Sequence, residues 1–264
     1  MTAGSTTRET RDSASEIKFL LTPDTAARLR ERARSLLAPD PHAGPGTDEY
    51  ITTTVYFDTA DYAVYGRRGS YRRAKYRIRR YERNPTVFLE RKLRTSDMVT
   101  KRRTAVWLAD LPRLFAPSST AQWAGDWFHE RLRLRQMEAV CQVSYVRTAR
   151  VGVTACGPIR LTIDSQLYGL PVEVPDFAWV PGAMALTDAC IAEMKFRGAM
   201  PVVFKQLVEE FALVSEPISK YRLGIQAARP GIVAAMAAQT AAITEQQQLE
   251  RLVGVALARR MEDA

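Results

Sequence analysis

Alternating cations are the first residues here whose types and spacing could do chemistry. In 71–81, Arg73, Lys75, Arg77 and Arg79 share one side of an extended segment, and Tyr76 and Ile78 take the other. In 86–93, Glu90 and Lys92 oppose Val87, Leu89 and Leu93. Lys101 and Arg103 share a side in 98–108, as do Tyr145 and Arg147 in 139–151. Arg160, Thr162 and Asp164 oppose Ile159, Leu161 and Ile163, and Glu193 and Lys195 oppose Ala192, Met194 and Phe196. Period two places each set on one face of its strand. Fixed cations with a few carboxylates are what phosphoryl transfer requires. The cations neutralise phosphate oxygens, carboxylates hold a divalent metal, and no protein nucleophile is needed.

Other chemistries lack their parts. There is no G-x-x-x-x-G-K-[ST] loop, no G-x-G-x-x-G and no H-E-x-x-H. His42 and His129 are the two histidines, and neither has a Ser or Cys partner in sequence for a nucleophilic triad. Cys141, Cys156 and Cys190 have no C-x-x-C spacing and an odd count, so neither a disulfide framework nor a zinc ribbon is expected.

The elements that must position these residues follow from pattern and punctuation. Residues 1–14 read as a disordered leader and 16–21 as a strand. Thr22-Pro23 reads as an N-cap with Pro at the first helical position, opening an amphipathic helix over 23–37. Strands are expected at 51–57, 71–81, 86–93, 98–108, 139–151, 159–164 and 190–196. A more helical stretch lies at 108–138, with Trp123, Trp127 and Leu134 as candidate packing residues. A second amphipathic helix spans 201–213, and 228–264 is an Ala- and Gln-rich helical tail.

The chain has 264 residues, 46% hydrophobic and 25% charged, a globular composition. It carries no run of about 18 apolar residues and no apolar signal region, so direct membrane insertion is not expected and a cytoplasmic location is. The net charge is +9, yet from Arg67 to Arg103 there are 15 basic residues against three acidic, a local excess larger than that of the whole chain. Such a field attracts polyanions. Two architectures fit: an antiparallel sheet with one wet basic face, or a closed barrel with a charged lumen and helices outside. Glu residues sharing a face with the cations lean toward the lumen, where a bound polyanion or acids must offset inward cations.

Ordered motifs carry a resemblance. Tyr56-Phe57-Asp58-Thr59, Tyr76-Arg77-Ile78-Arg79-Arg80-Tyr81 and Phe88-Leu89-Glu90-Arg91-Lys92 come first. Ser144-Tyr145-Val146-Arg147, Arg160-Leu161-Thr162-Ile163-Asp164, Ala192-Glu193-Met194-Lys195 and Ser219-Lys220-Tyr221-Arg222 follow. Over about 15–226 this set resembles the VTC domain, the catalytic domain of vacuolar transporter chaperone polyphosphate polymerases and their bacterial relatives, within the triphosphate tunnel metalloenzymes. The resemblance implies an α+β fold: a closed antiparallel barrel of about eight strands over 15–227, with a charged lumen and flanking helices.

It also implies roles. Lys18 matches the family's N-terminal basic residue, Arg77 and Arg79 its paired arginines, and Lys92 the lysine of E-R-K. Lys101 matches a lysine on the next strand, with Arg103 on the same face. Tyr145 and Arg147 match Y-x-R, Arg160 the arginine of R-x-x-x-D, and Ser219 and Lys220 the late S-K pair, with Lys195 two residues after Glu193. Arg77, Arg79, Lys92, Arg147 and Arg160 are thereby expected to be catalytic, and Lys18, Lys101, Arg103, Tyr145, Lys195, Ser219 and Lys220 to bind substrate. Glu193 matches the metal-holding glutamate, for Mn²⁺ or Mg²⁺, with Glu90 as a second contact. Pro217 stands where some eukaryotic members carry a further lysine. The expected partners are ATP and inorganic polyphosphate, not nucleic acid, and 228–264 is the expected place of an oligomer or partner contact.

Each residue has a plainer reading. Arg77 and Arg79 would serve as solvated strand residues, Glu90 as the partner of Arg79 or Arg91, and Ser219 as a turn or cap. Three functions compete on this chemistry: a polyphosphate polymerase, a triphosphatase with water as acceptor, and a polyphosphate-binding module without turnover.

Overall fold

Period-two strands with one apolar and one charged face must bury the first and curl around the second, and the chain does both. The computed structural model describes residues 8–10, 14–44, 46–94, 99–116, 122–178, 180 and 182–262. The strands are β1 (Arg8–Thr10), β2 (Ala14–Leu21), β3 (Ala38–Pro39), β4 (Glu49–Thr59), β5 (Ala74–Tyr81), β6 (Thr86–Arg94), β7 (Val99–Trp107), β8 (Met137–Thr154), β9 (Gly157–Pro171), β10 (Ala183–Met184) and β11 (Cys190–Arg197). The helices are α1 (Pro23–Leu36), α2 (Asp126–Leu134), α3 (Val202–Glu210), α4 (Lys220–Ala228) and α5 (Pro230–Glu262).

All strands join one antiparallel sheet in the order β1-β7-β6-β5-β4-β8-β9-β11-β2, with β10 added to β9 and β3 to β8. The expected closed barrel is corrected here. β1 spends its backbone pairing on β7 and β2 spends its own on β11, and no ladder joins β1 to β2 among the described residues. The N-terminal stretch instead supplies the strand at each end of the order. The sheet curls far enough for Glu16 of β2 to meet Lys92 of β6 at 3.2 Å.

Helices cover the apolar face. α1 starts where Thr22 caps it, its hydroxyl accepting from the Thr25 N–H at 3.2 Å with Pro23 following. Its Ala26, Leu29 and Ala33 pack with Phe204 and Leu207 of α3 on Phe19, Leu161, Ile163, Ala192 and Met194. Burial of this kind drives folding at about 25 cal/mol per Å². α2 covers another part: Phe128 meets the rings of Phe57 and Tyr76 edge-on or tilted, and Trp127 Nε1 donates to Thr104 Oγ1 at 2.9 Å. Leu134, expected to pack, is exposed, and Leu132 is buried in its place.

Of the expected leader, 1–7 and 11–13 lie outside the described residues, and Arg8–Thr10 are β1. Arg73 leaves the expected alternation because a short 3-10 turn over Gly69–Arg73 precedes β5. The chain divides into two compact units, Met1–Ala228 with the sheet and Arg229–Ala264 with α5.

Candidate functional site

Strand parity delivers the charged side chains to the concave face, and register sets who meets whom. Arg77, Glu90 and Arg103 stand directly opposite one another on β5, β6 and β7. Glu90 is therefore a buried hub. Its carboxylate takes Arg77 Nε at 2.7 Å, Lys101 Nζ at 2.8 Å and Arg103 Nε at 3.4 Å. Burial alone would raise this carboxyl, but Arg77, Arg79, Lys101 and Arg103 hold it well below the usual carboxylate range.

A second group gathers around Lys220, the first residue of α4. Its Nζ lies 2.7 Å from Asp164 and 2.5 Å from Glu193. Asp164 also receives both arms of Arg147, at 2.6 and 2.7 Å. Burial would lower the Lys220 ammonium, but Asp164 and Glu193 push it above the ordinary lysine range. A third group surrounds Glu16, which meets Lys18, Lys92 and Lys195, each at 3.2 Å. Lys18 also approaches Glu193 at 3.3 Å, so the second and third groups touch. Arg160 reaches the Tyr50 hydroxyl at 2.7 Å and Asp40 at 2.8 Å. Burial pushes the Tyr50 hydroxyl up to about 12, so it stays protonated.

Depth separates these residues. The side chains of Arg147 and Lys220 are 7% exposed, while Lys92, Lys101 and Lys195 are 38%, 39% and 47% exposed. Arg79, Arg147 and Lys220 thus form a floor, and Lys92, Lys101 and Lys195 a rim.

Two features of the floor are incomplete. Arg79 is buried and its Nε donates to Thr54 Oγ1 at 3.2 Å, but no carboxylate pairs with it among the described residues. The hydroxyl of Tyr145, 2% exposed, finds no hydrogen-bond partner there, and neither do those of Thr52 and Thr162. Buried cations and hydroxyls are costly without partners. A ligand with several anionic oxygens supplies both kinds of partner at once.

The donor set also suits a divalent cation, but only a shared one. Among the described residues no group of three His, Cys, Asp or Glu side chains is placed to hold a metal. Mg²⁺ and Mn²⁺ sites in phosphoryl-transfer proteins commonly use one or two carboxylates and complete the shell with substrate oxygens. Glu193 fits that pattern as a single carboxylate, since its contacts with Lys18 and Lys220 fall on Oε1, whereas both oxygens of Asp164 are taken by Arg147 and Lys220. Glu90 has its oxygens taken by three cations.

Every site residue expected from the sequence lies on or beside this concave face, Ser219 included, whose Oγ accepts from Lys75 Nζ at 3.0 Å. Sequence reasoning left out Glu16, Lys75 and Asp164 as members. Parity with Lys18, Arg77 and Arg160 was the available signal. Asp58, inside a quoted motif, turns out to anchor the loop before the 3-10 turn. Its buried carboxylate accepts from Val64 and Tyr65 N–H groups at 2.7 and 2.9 Å and from the Tyr221 hydroxyl at 2.5 Å.

A family model, the VTC domain, matches residues 13–229. No curated protein matches the chain in sequence. Among solved structures, a candidate adenylate cyclase from Bacillus halodurans is 17% identical, with a TM-score of 0.48, over 80% of this chain and 95% of that one. A candidate adenylyl cyclase from Hippeastrum, described by a dominant triphosphatase activity, is 13% identical, with a TM-score of 0.45, over 81% and 95%. A protein from Pyrococcus horikoshii is 12% identical, with a TM-score of 0.43, over 80% and 99%. The family match spans most of the chain, from β2 through α4, and takes in the floor and rim just described: the chain belongs to the VTC domain family.

Proposed function

We propose that this protein transfers the γ-phosphoryl group of ATP to the end of a growing polyphosphate chain. The observation that carries this reading is the buried Arg79, which meets no carboxylate among the described residues, near the Tyr145 hydroxyl, which has no hydrogen-bond partner there, on a face where cations outnumber carboxylates. In the transfer, the bond from the γ-phosphorus to its bridging oxygen breaks and ADP leaves with the electron pair. A terminal polyphosphate oxygen forms the new bond to phosphorus.

The chain's own residues position and neutralise. Arg77, Arg79, Arg147, Arg160 and Lys92 face the equatorial and leaving oxygens, where charge spreads in a loose transition state. Lys18, Lys101, Arg103, Lys195, Ser219, Lys220 and the Tyr145 hydroxyl hold the remaining phosphate oxygens. Mn²⁺ or Mg²⁺ held by Glu193 would supply Lewis-acid neutralisation of phosphate oxygens. Glu90 serves in this reading as the anchor that fixes Arg77, Lys101 and Arg103 before substrate arrives, so their reorganisation is not part of the barrier.

The test is incubation of purified protein with ATP and Mn²⁺, with polyphosphate, ADP and orthophosphate all quantified. Polymer with ADP is the expected outcome. Orthophosphate without polymer would replace transfer to polyphosphate with transfer to water. Neither product, with tripolyphosphate still bound, would leave a binding module.

A further inference from the structure

Lys75 of β5, Lys92 of β6 and Lys101 of β7 stand directly opposite one another across three adjacent strands. Like charges in directly opposed positions destabilise a sheet, so such a row needs compensation. Lys92 has it from Glu16 at 3.2 Å and Lys101 from Glu90 at 2.8 Å. Lys75 does not. Its ammonium is half-buried, donates to Ser219 Oγ at 3.0 Å, and has no carboxylate partner among the described residues.

We propose that Lys75 is a phosphate-binding residue, the third member of a lysine row that takes a phosphoryl unit of a linear condensed phosphate beside Ser219. This rests on the reading of the concave face as a polyphosphate site and names a group in it. The two hydrogens not used on Ser219 are free for phosphate oxygens, which a lysine binds as a compact point charge. The groups facing Lys75 are Lys18 from β2, Arg77 beside it on β5, Lys92 from β6 and Arg67 from the preceding loop, all cationic. Burial and these neighbours bring its ammonium down to about 8. An arriving polyanion reverses that balance and favours the protonated amine.

A rival role is structural, with Lys75 serving only to clamp Ser219 at the entry to α4. The two roles differ in sign. An unpaired, crowded ammonium kept for a ligand destabilises the empty protein, whereas a clamp stabilises it.

The experiment is calorimetric titration with tripolyphosphate at pH 8 in two buffers of different ionisation enthalpy, with melting curves of the ligand-free proteins at pH 7. Wild-type protein is expected to take up protons on binding. K75M is expected to bind roughly ten- to a hundred-fold more weakly, the range for a lost charge-assisted hydrogen bond, and to melt at a higher temperature than wild type when empty. K75R, charged at every pH used, is expected to bind with a smaller proton uptake than wild type. K75M that binds as wild type does and melts lower would overturn the proposal in favour of the clamp, and so would K75R with undiminished uptake. Wild-type protein that binds no tripolyphosphate would instead defeat the reading of the whole face, a result distinguishable from either.

Discussion

Arg77, Arg79 and Arg80 are near neighbours with equal charge and unequal surroundings. Arg77 holds Glu90, and Arg79 lies buried against Thr54. Arg80 points the other way and donates to the carbonyl oxygens of Asn84 and Arg83 in the hairpin turn. Arg77→Ala and Arg79→Ala should each lower turnover by about 10²–10³, the cost of losing one preorganised donor to developing charge. Arg80→Ala should change little beyond a small effect on encounter rate. Turnover at saturating ATP decides the matter, and equal losses at all three positions would mean a diffuse basic patch. Glu193→Gln keeps the shape and removes the charge. It should nearly abolish turnover and weaken Mn²⁺ binding measured by calorimetry, and it should lower the melting temperature, because the buried Lys220 and the half-buried Lys18 lose a carboxylate partner. Unchanged Mn²⁺ affinity would remove Glu193 from the metal site. These residues were legible in sequence because alternation reports the face of a strand without reference to any partner. The partners were not legible. Glu16 meets Lys92 from 76 positions away and Lys75 meets Ser219 from 144. Nothing local marks such pairs, so parity places Glu16 and Lys75 on the charged face without showing what they meet there.

At the scale of elements, α4 carries the most. It presents Lys220 to Asp164 and Glu193, fastens Tyr221 to Asp58, and directs Arg222 to the Tyr65 carbonyl oxygen at 2.5 Å. Its seat on the sheet depends on two glycines. A Cβ at Gly169 of β9 would lie 2.4 Å from the Gly224 carbonyl oxygen, a backbone atom that can yield only if the helix moves. Gly169→Ala should therefore cost about 1–3 kcal/mol of stability, as overpacking does. It should also lower turnover, because Lys220 moves with its helix. Melting curves and turnover measured on one preparation test this, and wild-type values in both would show that the contact relaxes freely. α4 was hidden from sequence patterning because its inward residues, Lys220, Tyr221, Gly224 and Ile225, mix charge, aromatic and glycine. The one local sign of its start is Ser219, whose plainer reading is a turn residue or helix cap. Most strand segments, by contrast, match expectation to within three residues, since a buried apolar face enforces strict alternation, but β9 runs to Pro171, seven residues past the expected end, and β1, β3 and β10 were not expected.

At the scale of the molecule, the concentration of basic residues between Arg67 and Arg103 was plain in sequence, and the expectation of a lumen followed from the acids among them. How the sheet ends was not, because it depends on the short β1 and β2 taking opposite ends of the strand order. The curl nevertheless gathers cations from β2, β5, β6, β7, β8, β9, β11 and α4 onto one face. Their mutual repulsion opposes folding, and a polyanion bound there relieves it. Tripolyphosphate should raise the melting temperature, and at a hundred times its dissociation constant it should add about 2.7 kcal/mol of stability. The gain should shrink as salt rises, since the exposed rim lysines are screened over about 8–10 Å near physiological ionic strength. Duplex DNA presents the same phosphates on a thick rod. It meets only the rim, because the space between β2 and β6 is narrow enough for Glu16 and Lys92 to touch across it. DNA should therefore compete poorly with tripolyphosphate at equal salt and should leave the melting temperature nearly unchanged. A duplex that binds as tightly as tripolyphosphate, and stabilises as much, would place the functional charge on the outside of the sheet.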